Sequence, residues 1–174
     1  DSLAFERYTT AQGIDVADST EYQRVLGDWR RENVELLIKQ LNDTIKEIKP
    51  WVRFGISPFG IHRNKKDTPD GSGSNTNGLS NYDELYADVP HWAEIGIIDY
   101  VVPQLYWEIG HKRAWYEVLI NWWNDTWKRG HLYIGQSVGS FSKPDVNNPE
   151  MDQTEAKMKL VRELPNVHGN VWWP

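Results

Sequence analysis

The sequence predicts an α/β protein whose parallel strands make up half of a (β/α)8 barrel. Helical and strand-like segments alternate along the chain, the pattern of parallel strands joined by crossover helices. Four apolar strand-like segments begin near residues 52, 97, 132 and 167, and two of the intervals are 35 residues. A barrel of about 250 residues averages roughly 31 per unit. The long polar segments all follow strands, which is where barrel enzymes carry their active-site loops. Residues 1–174 therefore read as one partial barrel domain.

Residues 1–27 show no clear period. Asp18-Ser19-Thr20 caps a short helix over Glu21–Leu26, which Gly27 stops; Asp28 then caps a long helix. Its apolar stripe is Val34, Leu37, Ile38, Leu41, Ile45 and Ile48, and Pro50 ends it. Val52–Ser57 is the first strand, closed by Pro58. Residues 60–81 form a Gly/Ser/Asn-rich loop of a length that is usually functional or disordered. A helical stretch starts at Tyr82 and a second turn at Pro90, with Asp88 as cap and Gly96 as stop. Ile97–Tyr106 is a nearly continuous apolar strand, as when both faces are covered. A Trp-rich helix over 114–129 ends at Gly130, and Leu132–Gly135 is the third strand. A loop over 138–151 carries Pro144 and Pro149. Asp152 caps a helix through Leu164, Pro165 breaks it, and Val167–Trp173 is the fourth strand.

Composition narrows the function. A net charge of −6 argues against duplex nucleic acid or an anionic membrane as partner. No stretch is apolar for long enough to insert into a membrane. With no cysteine, thiolate catalysis and Cys-ligated zinc are excluded. No Gly-rich fingerprint follows a strand and no Gly-x-Ser-x-Gly elbow occurs. The five histidines do not fall at metal-ligand spacing, and no cofactor is called for. Ten Trp among 13% aromatic residues shift the expectation toward carbohydrate, because flat rings stack on sugar faces as well as filling cores.

A barrel site lies at the carboxyl ends of the strands. The first end offers Ser57, Phe59, His62, Arg63 and Asn64; the second Gln104, Tyr106, Trp107 and Glu108. The third offers Gln136 and Ser137, and the fourth Trp172 and Trp173. Amides and arginine bond hydroxyls, so these residues form a candidate sugar subsite, to which Arg30 or Arg31 adds a charge. The alternative for each Trp is packing. Glycoside hydrolysis uses two carboxyl groups about 5–10 Å apart. Glu108 is the one carboxylate just past a strand end here; its alternative is a solvated loop position. Asp99 sits at the amino end of its strand and reads as structural.

Five segments then resemble glycosyl-hydrolase-like family ten of bacterial proteins. They are Phe54-Gly55-Ile56-Ser57-Pro58-Phe59-Gly60-Ile61 with Arg63-Asn64; Tyr82-Asp83-x-Leu85-Tyr86-Ala87-Asp88; and Ile98-Asp99-Tyr100-x-x-Pro103-Gln104-x-Tyr106-Trp107. Leu132-Tyr133-Ile134-Gly135 and Asp28-Trp29-Arg30-Arg31-x-Asn33-Val34 complete the set. The resemblance implies a barrel glycosidase acting on polysaccharide or peptidoglycan glycan strands in the bacterial cell envelope, periplasmic or extracellular. It also implies that the four strands are the fifth to eighth, and that paired aspartates on a strand ahead of this chain are the main catalytic carboxylates. His62 departs from the family pattern, in which a Trp is expected. The competing reading is a non-catalytic carbohydrate-binding domain, although such modules are mostly all-β. A half-barrel leaves open edges near residues 52 and 167, with Phe54, Val101 and Ile134 expected to face its interior. Such edges invite pairing, so a homodimer through them is one expected partner, and the missing half the other.

Overall fold

A computed structural model describes residues 1–16, 18–140 and 152–174. Four parallel strands, β1 (Gly55–Ile56), β2 (Tyr100–Val101), β3 (His131–Ser137) and β4 (Val167–Trp173), form one sheet in the order β1-β2-β3-β4. Helices α3 (Val89–Glu94), α4 (Tyr116–Thr126) and α5 (Gln153–Glu163) connect them in turn, and α1 (Ser2–Gln12) and α2 (Ser19–Ile48) precede β1. The first two strands are shorter than expected as a regular ladder. Pairing nevertheless runs on, because Asp99 N, Val102 N and Gln104 N donate to Phe54 O, Ile56 O and Pro58 O. Most of the expected 138–151 loop lies outside the described residues; Val138–Ser140 form a 3-10 turn.

The helices cover one face of the sheet. Ile38 of α2, Trp92 of α3, Leu119, Ile120 and Trp123 of α4, and Val161 of α5 share one core with Val101, Leu132 and Ile134. This corrects the expected placement of Phe54, Val101 and Ile134, which pack on the helix side. Side chains alternate along a strand, so the opposite face receives Gly55, Tyr100, His131 and Tyr133. It therefore carries polar and aromatic groups rather than a second apolar layer. Tyr100 and Tyr133 meet edge to face at 6.1 Å, and His131 stands 4.8 Å from His168.

Three helix boundaries differ from expectation. The segment 19–48 is one helix, with Asp18 Oδ1 accepting from Thr20 N and Glu21 N. Gly27 is interior and buried because its missing side chain admits the Arg31 guanidinium; a Cβ there would stand 3.2 Å from Arg31 Nη2. Asp28 caps nothing and binds Arg31 at 2.7 Å. Helix α1 has no apolar stripe, which is why its sequence shows no period. Two rings anchor it: Phe5 is buried against Tyr22 and Trp29 at 5.3 and 5.4 Å, and Tyr8 meets Trp29 at 6.0 Å. The stretch from Tyr82 is turns rather than helix, because Asn81 N and Tyr82 N are drawn to Ile61 O and His62 O. Tyr86 takes a left-handed φ of 56°, held by Arg30, which donates to its hydroxyl at 2.5 Å and lies 4.8 Å over its ring. The α2 stripe is wider than the surface it packs on: Ile38 is buried, but Leu37, Leu41 and Ile48 remain exposed.

Loop 60–81 is ordered by buried polar groups. Asn64 is buried; its amide donates to Gly78 O at 2.9 Å, and its oxygen accepts from Thr76 Oγ1 and Gly78 N at 3.0 and 3.1 Å. Asn81 Nδ2 donates to Phe59 O at 2.7 Å. Trp123 Nε1 donates to Gly60 O and Trp122 Nε1 to Ser72 O, both at 2.8 Å, which sews the loop to α4.

His62 sits inside this stitching, stacked on Trp122 at 5.5 Å with Tyr82 and Trp123 at its edges. Burial, aided by the Arg63 charge and opposed by Asp83, lowers its pKa from 6.5 to about 4. Between those two values the unfolded chain takes up a proton that the folded chain excludes. Stability is therefore complete above pH 6.5 and falls as the pH drops toward 4, by up to roughly 3 kcal/mol from this group. Urea unfolding at pH 7 and pH 4.5 checks this. His62→Phe is expected to lose less stability between the two pH values than the unsubstituted protein, and an equal loss in both would refute the role.

Candidate functional site

The carboxyl ends of β1 and β2 meet in a polar and aromatic rim. Ser57 Oγ donates to Val102 O at 2.9 Å, and Gln104 Nε2 donates to Ser57 O at 3.0 Å. Gln104 also forms parallel bridges to Phe59 on one side and Gly135 on the other, so it ties three strand ends together. Phe59 meets the Trp107 indole edge to face at 5.3 Å. Gly60 permits that approach: a Cβ there would lie 2.5 Å from Trp107 Cζ3 and 2.6 Å from Gln104 O. Tyr106 and Trp107 are half-buried, and desolvation raises the Tyr106 phenol above its ordinary pKa.

Glu108 is half-buried on a segment whose neighbours are fixed from three points. Lys157 Nζ donates to Trp107 O at 2.8 Å, Ile109 N donates to Gln153 Oε1 at 2.9 Å, and Gly110 N donates to both Glu117 carboxylate oxygens at 3.2 and 3.3 Å. Lys157 is 1% exposed and Gln153 is fully buried. The Lys157 ammonium lies 4.6 Å over the Tyr116 ring, whose hydroxyl burial pushes to a raised pKa. These bonds hold the backbone on both sides of Glu108 in place at the end of β2.

The other expected site residues are engaged elsewhere. Arg31 and Arg63 both lie against the Tyr82 ring, at 4.1 and 4.4 Å. Arg31 also bonds Tyr82 O at 3.0 Å, and Arg63 pairs through two nitrogens with Asp83 at 3.0 and 2.6 Å. With His62 and Asn64 they fasten loop 60–81. Gln136 is fully buried on the helix side, donating to Tyr116 Oη at 2.6 Å and Asn170 Oδ1 at 2.9 Å. Asp99 binds Lys46 at 2.6 Å and accepts from Phe54 N at 2.8 Å, the structural part expected of it. Trp172 and Trp173 are 39% and 45% exposed. No group of three His, Asp or Glu side chains able to hold a metal occurs among the described residues.

The expected set omitted Gln153 and Lys157. Their signal is present in the sequence, since both fall on the buried stripe of α5 with Ala156 and Val161. A lysine and a glutamine on an apolar helical stripe mark polar groups that need buried partners. Lys157→Met keeps much of the volume and removes the ammonium. In the native protein it is expected to lower the melting temperature by several degrees and to quicken amide exchange selectively at residues 107–110. Uniform exchange across the chain would contradict the clamp.

The glycosyl hydrolase-like 10 family profile matches residues 1–153. The chain is 43% identical over 171 residues to glycosyl hydrolase YngK of Bacillus subtilis, a match covering 91% of this chain and 33% of that protein. It is 36% identical over 178 residues to glycosyl hydrolase DigH of Escherichia coli K12, covering 94% of this chain and 40% of that protein. The chain thus spans between a third and two fifths of the length of these relatives. Its parallel sheet, its rim and these matches together place the chain in the glycosyl hydrolase-like 10 family.

Proposed function

We propose that this chain is the C-terminal half, strands five to eight, of a (β/α)8 glycoside hydrolase barrel that acts on polysaccharide. Peptidoglycan glycan strands in the bacterial envelope are the substrate class that the family resemblance favours. The observation that carries the reading is the rim, where an aromatic pair, Phe59 and Trp107, adjoins a carboxylate on clamped backbone, in a chain of this family. One-sided helix cover also supports a barrel, in which helices lie outside and the opposite face closes on itself.

In this proposal Trp107 stacks on a sugar ring, and Gln104 and Ser57 bond hydroxyls. Glu108 gives its proton to the departing glycosidic oxygen as that bond breaks. A second carboxylate, from the rest of the barrel, activates water or attacks the anomeric carbon. A second copy, or the preceding units of the same protein, supplies strands to the open sides of β1 and β4.

Two substitutions in the full-length protein test the roles. Trp107→Ala is expected to weaken glycan binding by about 1–3 kcal/mol, as for loss of one buried aromatic contact. Calorimetry showing unchanged affinity with an intact fold would remove Trp107 from the site. Glu108→Gln is expected to cut turnover by about 10²–10⁴-fold while glycan binding persists. A loss under about tenfold would make Glu108 a solvated rim residue.

A further inference from the structure

Beside the rim, between residues 65–75 and the first turns of α4, lies a cleft of about 480 Å³. Lys65, Asn75, Glu117, Val118, Asn121 and Trp122 are among the side chains that line it. We propose that this cleft is a second glycan subsite, which takes further units of a polymer whose reacting bond lies at the rim. The proposal rests on the glycosidase reading and deepens it: it gives further units of the glycan strand a binding place on this chain.

Position is the first ground. Glu117 lines the cleft and also holds Gly110 N, three residues beyond Trp107. On the other wall, Lys65 N donates to Ser74 O at 2.7 Å, and Lys65 directly follows Asn64 of the rim-side loop. Glu117 therefore belongs both to the cleft and to the clamp on the segment that follows Trp107, and in this proposal a chain leaving Trp107 continues into the cleft.

Chemistry is the second. The Trp122 ring, Val118 and the methylenes of Lys65 make an apolar surface, with amides and one opposite-charge pair of residues around it. A sugar presents apolar C–H faces and a hydroxyl edge, which ring and amides match. A small anion or cation fits less well, since Lys65 and Glu117 carry opposite charges and Glu117 already accepts from Gly110 N. The volume is that of an ordinary small-molecule site.

Preorganisation is the third. Trp122 cannot swing away: it donates to Ser72 O at 2.8 Å, stacks on His62 at 5.5 Å, and meets Trp123 edge to face at 5.2 Å. Asn121 Nδ2 donates to Glu117 O at 2.7 Å, which orients the amide. No donor reaches its Oδ1 among the described residues, so that oxygen stands ready for a hydroxyl.

Calorimetric titration of the full-length protein, silenced by Glu108→Gln, tests the proposal with the dimer and hexamer of β-1,4-linked N-acetylglucosamine as probes. The hexamer is expected to bind more tightly than the dimer. Asn75→Ala with Asn121→Ala is expected to weaken the hexamer about three- to tenfold and leave the dimer unchanged. Trp122→Ala would also strip the stacking from His62, so Asn121→Arg serves as the blocking variant, with its melting temperature recorded. Hexamer affinity unchanged in both cleft variants overturns the subsite. The rim reading survives that result if Trp107→Ala still weakens the dimer. Equal weakening of dimer and hexamer by the cleft variants also overturns it, because the cleft would then be the primary site. Failure of the parent to bind either probe overturns the subsite and the rim reading together.

Discussion

A parallel sheet needs both faces covered, and in this chain the helices cover one. Every helix from α2 to α5 adds to a single core with the apolar side of the strands. The other face is left to Tyr100, His131, Tyr133 and His168, which pack against one another through rings 4.8–6.2 Å apart. That asymmetry fixes where everything else lies. Helices on one side force each crossover to return beneath the sheet. The loops leaving the carboxyl ends are gathered along one rim, beside the uncovered face. Ser57, Phe59, Gln104 and Trp107 come together because they occupy those ends.

The rim is precise because two of its three supports, Lys157 and Gln153, are buried. Three helical side chains, Lys157, Gln153 and Glu117, each take one backbone group between Trp107 and Gly110. Buried lysine and glutamine are costly unless partnered, so these bonds both satisfy the helices and position the strand-end segment. Loop 60–81 follows the same logic. A long Gly/Asn/Ser segment has little apolar surface to bury, and its order comes from Asn64, Asn81 and two indole N–H groups directed at its carbonyls. Trp122 and Trp123 thus orient the loop as well as packing α4.

The same economy explains the charged residues of the expected site. Arg31 and Arg63 share the Tyr82 ring and hold Asp28 and Asp83. Residues that read from sequence as substrate contacts act here to join α2, the loop and the 80–88 turns. His62 completes this joint as a buried neutral ring.

The sequence alone determined the order and parallel character of the strands and the presence of a helix between each pair, because helical and strand periods and Pro/Gly punctuation are local properties. Asp18, Asp152, Gly96 and Gly130 act at or next to the helix and turn boundaries where their chemistry puts them, the two glycines at φ 78° and 79°. It also put Ser57, Gln104 and Trp107 at strand ends, since the residues just past a parallel strand lie at its carboxyl end. Tertiary contact decided the rest. Whether Gly27 ends a helix depended on Arg31 needing its space. Which side of the sheet Val101 and Ile134 face depended on where the helices pack, which alternation alone does not state. Gln136 turned inward because Tyr116 and Asn170, distant in sequence, offered it partners. Lys157 and Gln153 became supports of the rim for the same reason: the groups they hold lie 50 and 44 residues away.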